Sequence, residues 1–77
     1  MKKALYERSY AAFTELLKEE RKNAGLTQAA LAKKLRRPQS YVSKYERGDR
    51  RIDVIEFLEI AGAIQFDPNE FLRKLDS

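Results

Sequence analysis

One stretch of the chain places amide, hydroxyl and cationic side chains on a common face. Successive residues of a helix are about 100° apart, and on that spacing one strip about 140° wide comprises Gln39, Ser40, Ser43, Lys44 and Arg47. Side chains of these types bond the edges of adenine and guanine and the oxygens of phosphate groups. An ordinary amphipathic surface helix usually mixes carboxylates into its polar face, and this strip has none. The pattern therefore favours a nucleic-acid contact over a solvated face.

The charge of the chain is concentrated in the same region. The net charge is +4, but residues 26–51 carry eight basic and two acidic side chains, whereas residues 52–77 carry two basic and six acidic ones. Solvated lysines and arginines are common on helical proteins, so charge alone is an ambiguous signal. A polyanion would nevertheless orient itself against the middle third of the chain.

Glycine, proline and capping residues predict where the first helices begin and end. Gly25 is a natural left-handed stop for a first helix, which starts either behind a Ser9 cap or near Lys3. Thr27 is an acceptable N-cap for a second helix over residues 28–35. A third helix is predicted between Pro38, which opens it, and Gly48, which ends it.

The last two helices carry the clearest start signals. Asp53 and Glu56 have the spacing of a capping box, and apolar residues on either side form a hydrophobic staple. Asp67 and Glu70 repeat the box with its own staple. The two staple pairs are Ile52 with Phe57 and Phe66 with Phe71.

Apolar residues recur at helical spacing along these segments. The predicted apolar face of the first helix consists of Tyr6, Tyr10, Phe13, Leu16 and Leu17. The predicted interior of the following two helices consists of Leu31, Ala32, Leu35, Val42 and Tyr45. We therefore expect an all-α, five-helix bundle that forms a single domain over residues 1–77. A helix-turn-helix occupies about residues 27–48, and residues 1–9 are a candidate N-terminal extension.

The composition argues against several other classes of protein. The chain has no cysteine and no histidine, so we expect no disulfide, no metal site and no cofactor. An enzyme would have to rely on carboxylates alone in a bundle too small for a cleft, so no catalytic residue is predicted. No apolar run could span a membrane or serve as a signal peptide, and we expect a cytoplasmic protein.

The pattern as a whole resembles the lambda-repressor/Cro-type (Xre-like) helix-turn-helix regulators. The resemblance covers about residues 13–75 and rests on Arg21, Gly25-Leu26-Thr27-Gln28, Leu31-Ala32, Gln39-Ser40, Val42-Ser43 and Tyr45-Glu46-Arg47-Gly48. It implies a five-helix bundle whose partner is double-stranded DNA. It further implies that the protein binds a palindromic operator as a homodimer, usually to repress transcription.

The resemblance also implies roles for individual residues. The base-reading positions are Gln39, Ser40, Ser43 and Lys44. The positions assigned to the DNA backbone are Thr27, Gln28, Arg36, Arg37, Tyr41, Arg47, Arg50 and Arg51. Gln28 is expected to bind a phosphate and steady the third helix, and Tyr41 to be half-buried with its hydroxyl towards phosphate. Arg21 and Glu46 are expected to form a structural ion pair.

Two positions depart from the family pattern. The turn between the second and third helices usually has glycine, an apolar residue and a hydroxyl N-cap, where this chain has Arg36, Arg37 and Pro38. Arg36 is therefore expected to adopt a left-handed conformation, which is unfavourable without glycine. Gln65 likewise stands where glycine usually precedes the last helix.

A protein-interaction module, such as the antitoxin of a toxin–antitoxin pair, is the alternative function for this fold. The aromatic N-terminus and the apolar residues near the end of the chain could cover a toxin. We prefer to interpret most of those residues as core or homodimer contacts. For the homodimer we expect the loop at residues 64–67 and the last helix, with Phe66 as the apolar anchor, unless the N-terminal aromatic residues serve instead.

Overall fold

Helices account for most of the structure, a computed structural model that describes the backbone of residues 3–76 and the side chains of residues 9–76. Within that range there is no strand, and the helices are α1 (Lys3–Asn23), α2 (Gln28–Leu35), α3 (Gln39–Arg47), α4 (Val54–Ile64) and α5 (Pro68–Asp76). The predicted all-α, five-helix fold is confirmed. α1 extends back to Lys3, so Ser9 lies inside the helix and does not cap it. The side chain of Tyr6 lies outside the described residues.

The predicted helix ends are confirmed at two glycines. Gly25 has a φ of 74° and Gly48 a φ of 82°, a conformation that glycine adopts without steric cost. After α1, the N–H of Leu26 donates to the carbonyl oxygen of Arg21 over 3.2 Å. This bond turns the chain back against the helix it has just left.

Two helix starts are capped as the spacing predicts. The hydroxyl of Thr27 accepts from the N–H of Ala30 over 3.0 Å at the start of α2. At α4, the N–H of Glu56 donates to Asp53 Oδ1 over 2.7 Å, and the N–H of Asp53 donates to Glu56 Oε1 over 3.1 Å. The capping box is therefore reciprocal, and each bond satisfies a donor that the helix leaves unpaired.

The second predicted capping box is wrong in its detail. Asp67 Oδ1 accepts from the N–H of Asn69 over 2.9 Å, while Glu70 pairs with Arg73 one turn further along. A guanidinium three residues away is a stronger partner for an exposed carboxylate than a backbone N–H. The staple is present, because the rings of Phe66 and Phe71 stack with centroids 5.0 Å apart.

The core lies between the helices, with α2 against α3 and α4, and α1 against α3 and α5. The largest side chains with less than 2% exposure are Tyr45, Phe71, Leu17, Leu31, Ile60 and Val42. Ala32 is 3% exposed, and its small side chain suits a close approach between α2 and α3. Leu35 is partly buried at the edge of this core. This packing covers one face of α3 and leaves the opposite face open.

Candidate nucleic-acid interface

The open face of α3 carries the polar strip. Gln39, Ser40, Lys44 and Arg47 are exposed, and Ser43 is partly buried. Ser43 Oγ donates to the carbonyl oxygen of Ser40 over 3.2 Å, so its hydroxyl proton is bound by the helix backbone. The structure thus brings four of the predicted contact residues onto one accessible surface, and the fifth, Ser43, is partly buried among them.

The start of α3 presents backbone donors at the same surface. Pro38 occupies the N-cap with an extended backbone (φ −66°, ψ 154°) and provides no side-chain hydrogen bond. The first N–H groups of a helix have no partner inside it, and the helix dipole makes this end positive. Among the described residues, the N–H groups of Gln39 and Ser40 therefore have no capping side chain, which suits an anionic ligand.

A buried ion pair fixes the tilt of α3 against α1. Arg21 Nε lies 2.7 Å from Glu46 Oε2, and Arg21 Nη2 lies 3.0 Å from Glu46 Oε1. The side chains are only 9% and 3% exposed, and Arg21 Nη1 also donates to the carbonyl oxygen of Leu26 over 2.8 Å. The hydrogen bond that Arg21 donates to Glu46 raises the pKa of Arg21. Both charges are therefore paired in two-pronged geometry.

Gln28 belongs to the same network. Its Nε2 donates to Glu46 Oε1 over 3.0 Å, which connects the start of α2 to α3. This contact is consistent with steadying the third helix. A phosphate contact by Gln28 stays a prediction. Thr27 is exposed beside it, with its oxygen already accepting from the backbone of α2.

The turn between α2 and α3 contains two arginines in different environments. Arg36 is exposed with a φ of 57°, the left-handed conformation expected where the family pattern has glycine. Arg37 is half-buried, with its guanidinium carbon 4.5 Å from the ring centroid of Tyr41. Gln65, before α5, also stands where the family pattern has glycine, and it too is left-handed, with a φ of 73°.

Tyr41 differs from the sequence-based expectation. It is 7% exposed and belongs to the core, whereas we expected it to be half-buried with its hydroxyl towards phosphate. Arg37 and Arg50 cover its ring, the latter at 4.7 Å from the centroid. Burial, followed by the nearby carboxylate of Glu56, raises the pKa of Tyr41. The position on the helical wheel placed Tyr41 correctly at the edge of the strip but could not show the arginines that close over it.

Arg47, at the end of the strip, and the two arginines in the following loop are each engaged within the chain. Arg47 Nε lies 3.0 Å from Asp49 Oδ2, and both side chains are about 60% exposed. Arg50 Nη2 lies 2.9 Å from Glu56 Oε2. The guanidinium of Arg51 lies 4.3 Å from the ring centroid of Tyr10. Exposed pairs of the Arg47 type exchange readily with solvent and other anions.

Sequence reasoning missed two residues that organise this surface. Glu56 was assigned to a helix cap, yet it also binds Arg50. Tyr10 was assigned to an apolar face, yet its hydroxyl accepts from the N–H of Ile52 over 3.0 Å and donates to the carbonyl oxygen of Arg50 over 3.3 Å. The Tyr10 contacts span about 40 residues of sequence, so no local spacing could have revealed them.

A second surface feature lies on α4 and α5. The large apolar side chains with high exposure are Val54 (70%), Ile55 (67%), Leu58 (47%) and Leu72 (47%). We call these four residues the apolar face. Beside it a groove of about 310 Å³ runs between α1, α4 and α5 and is lined mainly by apolar side chains, among them Phe13 and Leu75. Contiguous apolar surface of this kind usually marks a contact with another molecule.

The described part of the chain contains neither a metal-binding cluster nor a helix that could span a membrane. Residues 9–76, whose side chains the structure describes, contain no cluster of three acidic side chains placed to hold a metal ion. Over the same residues, the helices are too short or too polar to cross a bilayer.

Comparison with known proteins agrees with this geometry. A helix-turn-helix family model (HTH_3) matches residues 17–71. The structure superposes on an XRE-family like protein from Pseudomonas syringae pv. tomato str. DC3000 with a TM-score of 0.92 and 47% sequence identity, covering 96% of this chain and 90% of that one. A restriction-modification controller protein, C.Esp1396I, shares the fold with a TM-score of 0.80 and 24% identity, covering 87% and 86% of the two chains.

No curated protein matches the sequence. The family model nevertheless covers more than half of the chain, and the protein from Pseudomonas syringae is 47% identical to this chain in sequence. Regulators of this family are generally not enzymes. The chain belongs to the XRE-like helix-turn-helix family and is a DNA-binding transcription regulator.

Proposed function

We propose that this protein is a repressor that binds a palindromic operator as a homodimer. The observation that carries the proposal is the exposed face of α3, which is polar, cationic and free of carboxylates, and is held at a defined angle by the pair between Arg21 and Glu46. A helix presented in this way can enter the major groove. A dimer seated on two successive grooves excludes other proteins from that DNA, which is a simple route to repression.

Specificity would come from the side chains of the strip that can reach base edges. Gln39 can bond adenine through two hydrogen bonds, and Lys44 can reach the acceptors of guanine. Ser40 and Ser43 complete the proposed base-reading set, with Ser43 limited by its bond to the helix backbone.

The position and orientation of the protein on the duplex would come from contacts to phosphate groups. The exposed cations of the proposed backbone set are Arg36, Arg47 and Arg51. Arg37 and Arg50 are only partly exposed, and Thr27 and Gln28 lie at the positive end of α2. Such contacts fix orientation and supply affinity that depends on salt.

The apolar face is the proposed dimer contact. Phe66 is partly buried and packs against the core, with its ring 5.0 Å from Phe71 and 5.9 Å from Phe57, so part of the predicted anchor is already in contact within one subunit. Val54, which lines the apolar groove, and Ile55, which lies outside its lining, are instead strongly exposed. Around a two-fold axis, the protruding residues of one subunit would meet the groove of its partner.

Selection of bound sites from random duplex DNA tests whether binding is specific and whether the operator is a palindrome. We expect a palindrome whose half-sites are centred about 10 base pairs, or about 34 Å, apart. A selected site without two-fold symmetry would contradict the palindromic operator. Recovery of no preferred sequence would contradict specific binding altogether.

Sedimentation of the protein bound to its DNA site tests whether the apolar face forms the dimer contact. The variant is Ile55→Glu, and the control is Ala24→Glu, which adds the same charge at an exposed position just after α1. We expect two wild-type chains on each specific site. Ile55→Glu should bind as a single chain with at least about tenfold lower affinity, and Ala24→Glu should behave as wild type. One wild-type chain per site would refute dimeric binding.

A toxin-binding role is the second candidate, and the same apolar face is the observation that favours it. Co-purification from the host distinguishes the two. A homodimer requires self-association of the purified chain, whereas an antitoxin requires a stoichiometric second protein that Ile55→Glu no longer retains.

A further inference from the structure

Two cations meet over one aromatic ring at the edge of the α3 surface. Arg37 comes from the turn before α3 and Arg50 from the loop after it, and their guanidinium carbons lie 4.5 Å and 4.7 Å from the ring centroid of Tyr41. The negative face of an aromatic ring attracts each cation. The two positive groups also repel one another, so their shared position requires a compensating negative charge.

Two carboxylates on α4 supply that charge. Glu59 Oε1 accepts from Arg37 Nη2 over 3.5 Å, and Glu56, in the first turn, lies beside both arginines. Its Oε2 lies 2.9 Å from Arg50 Nη2 and 3.9 Å from Arg37 Nη2, and its Oε1 accepts from Arg50 Nη1 over 3.2 Å. The carboxylate side chain is 12% exposed, so it lies behind the guanidinium groups. The hydrogen bond from Arg50, followed by that from the backbone of Asp53, lowers the pKa of Glu56. The group is therefore ionised at neutral pH.

The paired arginines open onto the surface that carries the polar strip. A depression of about 260 Å³ is lined by Arg37, Pro38, Ser40, Tyr41, Lys44 and Arg50. The side chains of Arg37 and Arg50 are 36% and 40% exposed. A guanidinium has five N–H donors, and within the described part of the chain the bonds to Glu56 and to the carbonyl oxygen of Arg51 use three of those of Arg50. Donors therefore remain for an anion in the depression.

We propose that Glu56 is a positioning residue that holds Arg37 and Arg50 together as a pair of donors for one backbone phosphate of DNA. This inference rests on the proposed DNA-binding surface and adds a residue to it that does not itself touch DNA. An arginine already held in place loses less side-chain freedom when it binds. Glu56 would thus increase affinity for DNA although it is an acid.

The sign of the effect separates this role from simple electrostatics. Removing a carboxylate raises the net charge and, acting through charge alone, strengthens binding to a polyanion. Removing a positioning residue releases both arginines and weakens binding. Glu56→Gln is the informative change, because glutamine also serves in a capping box and so leaves the start of α4 intact. Glu15→Gln, on the exposed side of α1, is the control with the same change in charge.

Binding of each variant to a mixed-sequence duplex is measured by fluorescence anisotropy at several salt concentrations. We expect Glu56→Gln to bind about three- to tenfold more weakly than wild type, with a salt slope lower by about one. Glu15→Gln should bind as wild type or slightly more tightly. A Glu56→Gln affinity equal to or above that of Glu15→Gln would overturn the proposal. Failure of the wild type to bind any duplex at low salt would refute the DNA-binding surface itself.

A double-mutant cycle with Arg50→Gln distinguishes positioning from a general effect on the fold. If Glu56 acts through the arginines, adding Glu56→Gln to Arg50→Gln should cost clearly less binding than adding it to wild type. An equal cost in both backgrounds would overturn the proposal. Thermal melts followed by circular dichroism establish that each variant is folded at the temperature of the binding experiment.

Discussion

Arg21 on α1 and Glu46 on α3 form a two-pronged ion pair, with Nε–Oε2 and Nη2–Oε1 distances of 2.7 Å and 3.0 Å. Removing one partner of a buried pair leaves the other charge uncompensated. We expect Glu46→Ala to lower the free energy of unfolding by about 3 kcal/mol, measured by thermal or urea denaturation. Glu70→Ala breaks the exposed pair with Arg73 and should cost less than about 1 kcal/mol. Equal melting temperatures for wild type and Glu46→Ala would contradict the prediction.

Arg36 adopts a φ of 57°, which a side chain disfavours and glycine accepts. We expect Arg36→Gly to raise the free energy of unfolding by about 0.5 to 1 kcal/mol. Arg36→Ala is the matched control, because it removes the same charge and keeps the strained conformation. If both variants are stabilised equally, the gain comes from charge and not from backbone conformation.

Tyr45 is completely buried, and within the described residues its hydroxyl has no hydrogen-bond partner. An unpaired buried hydroxyl costs about 1–3 kcal/mol. We expect Tyr45→Phe to raise the free energy of unfolding by about 1 kcal/mol in urea denaturation. Tyr10→Phe is the opposite case, because its hydroxyl bonds Ile52 and Arg50, and it should destabilise by about 1 kcal/mol. Destabilisation by Tyr45→Phe would show that this hydroxyl has a partner in solution.

Base reading and backbone contact can be separated by four alanine variants. Gln39→Ala and Lys44→Ala should each cost about 1–3 kcal/mol on the operator and relax preference at one base pair. Arg51→Ala should weaken binding to all sequences alike and lower the salt slope by about one for each phosphate that the variant no longer neutralises. Lys33→Ala, on the exposed side of α2, should matter least.

The measurement compares one operator with one scrambled duplex at two salt concentrations. Equal weakening of both duplexes by Lys44→Ala would make Lys44 a phosphate contact. The assignment of the base-reading face would then be wrong.

The lowered pKa of Glu56 predicts how its contribution to stability depends on pH. Its ordinary value is 4.5, and a carboxyl whose pKa is lower in the folded state stabilises the fold fully above its unfolded pKa. That stabilisation is lost as the pH falls through the folded pKa. We therefore expect the difference in unfolding free energy between wild type and Glu56→Gln to be constant near neutral pH and to shrink below about pH 4.5.

Urea titrations between neutral pH and about pH 3 check this expectation. The same comparison in an Arg50→Gln background should show a smaller change with pH, because Arg50 is the main cause of the shift. A difference that stays unchanged down to about pH 3 would contradict the prediction.

The sequence alone determined the five helices and most of their ends, although not where the first one begins. Thr27, Asp53, Gly25 and Gly48 act within one helical turn of their own positions, so their residue types and spacing already define the interaction. The exposed polar strip of α3 could be predicted for the same reason, because a helical period assigns each residue to a face. The left-handed Arg36 followed from its place in the family pattern.

Only the tertiary structure decided what lies against each face. Tyr41 is buried because arginines from two other segments close over it, and Phe66 is partly buried against Phe57 and Phe71. Arg50 meets Glu56 at the start of another helix, where that residue already caps the backbone. A helical period fixes direction within one helix, whereas a side chain's partner depends on how separate helices pack, and that is not encoded in local spacing.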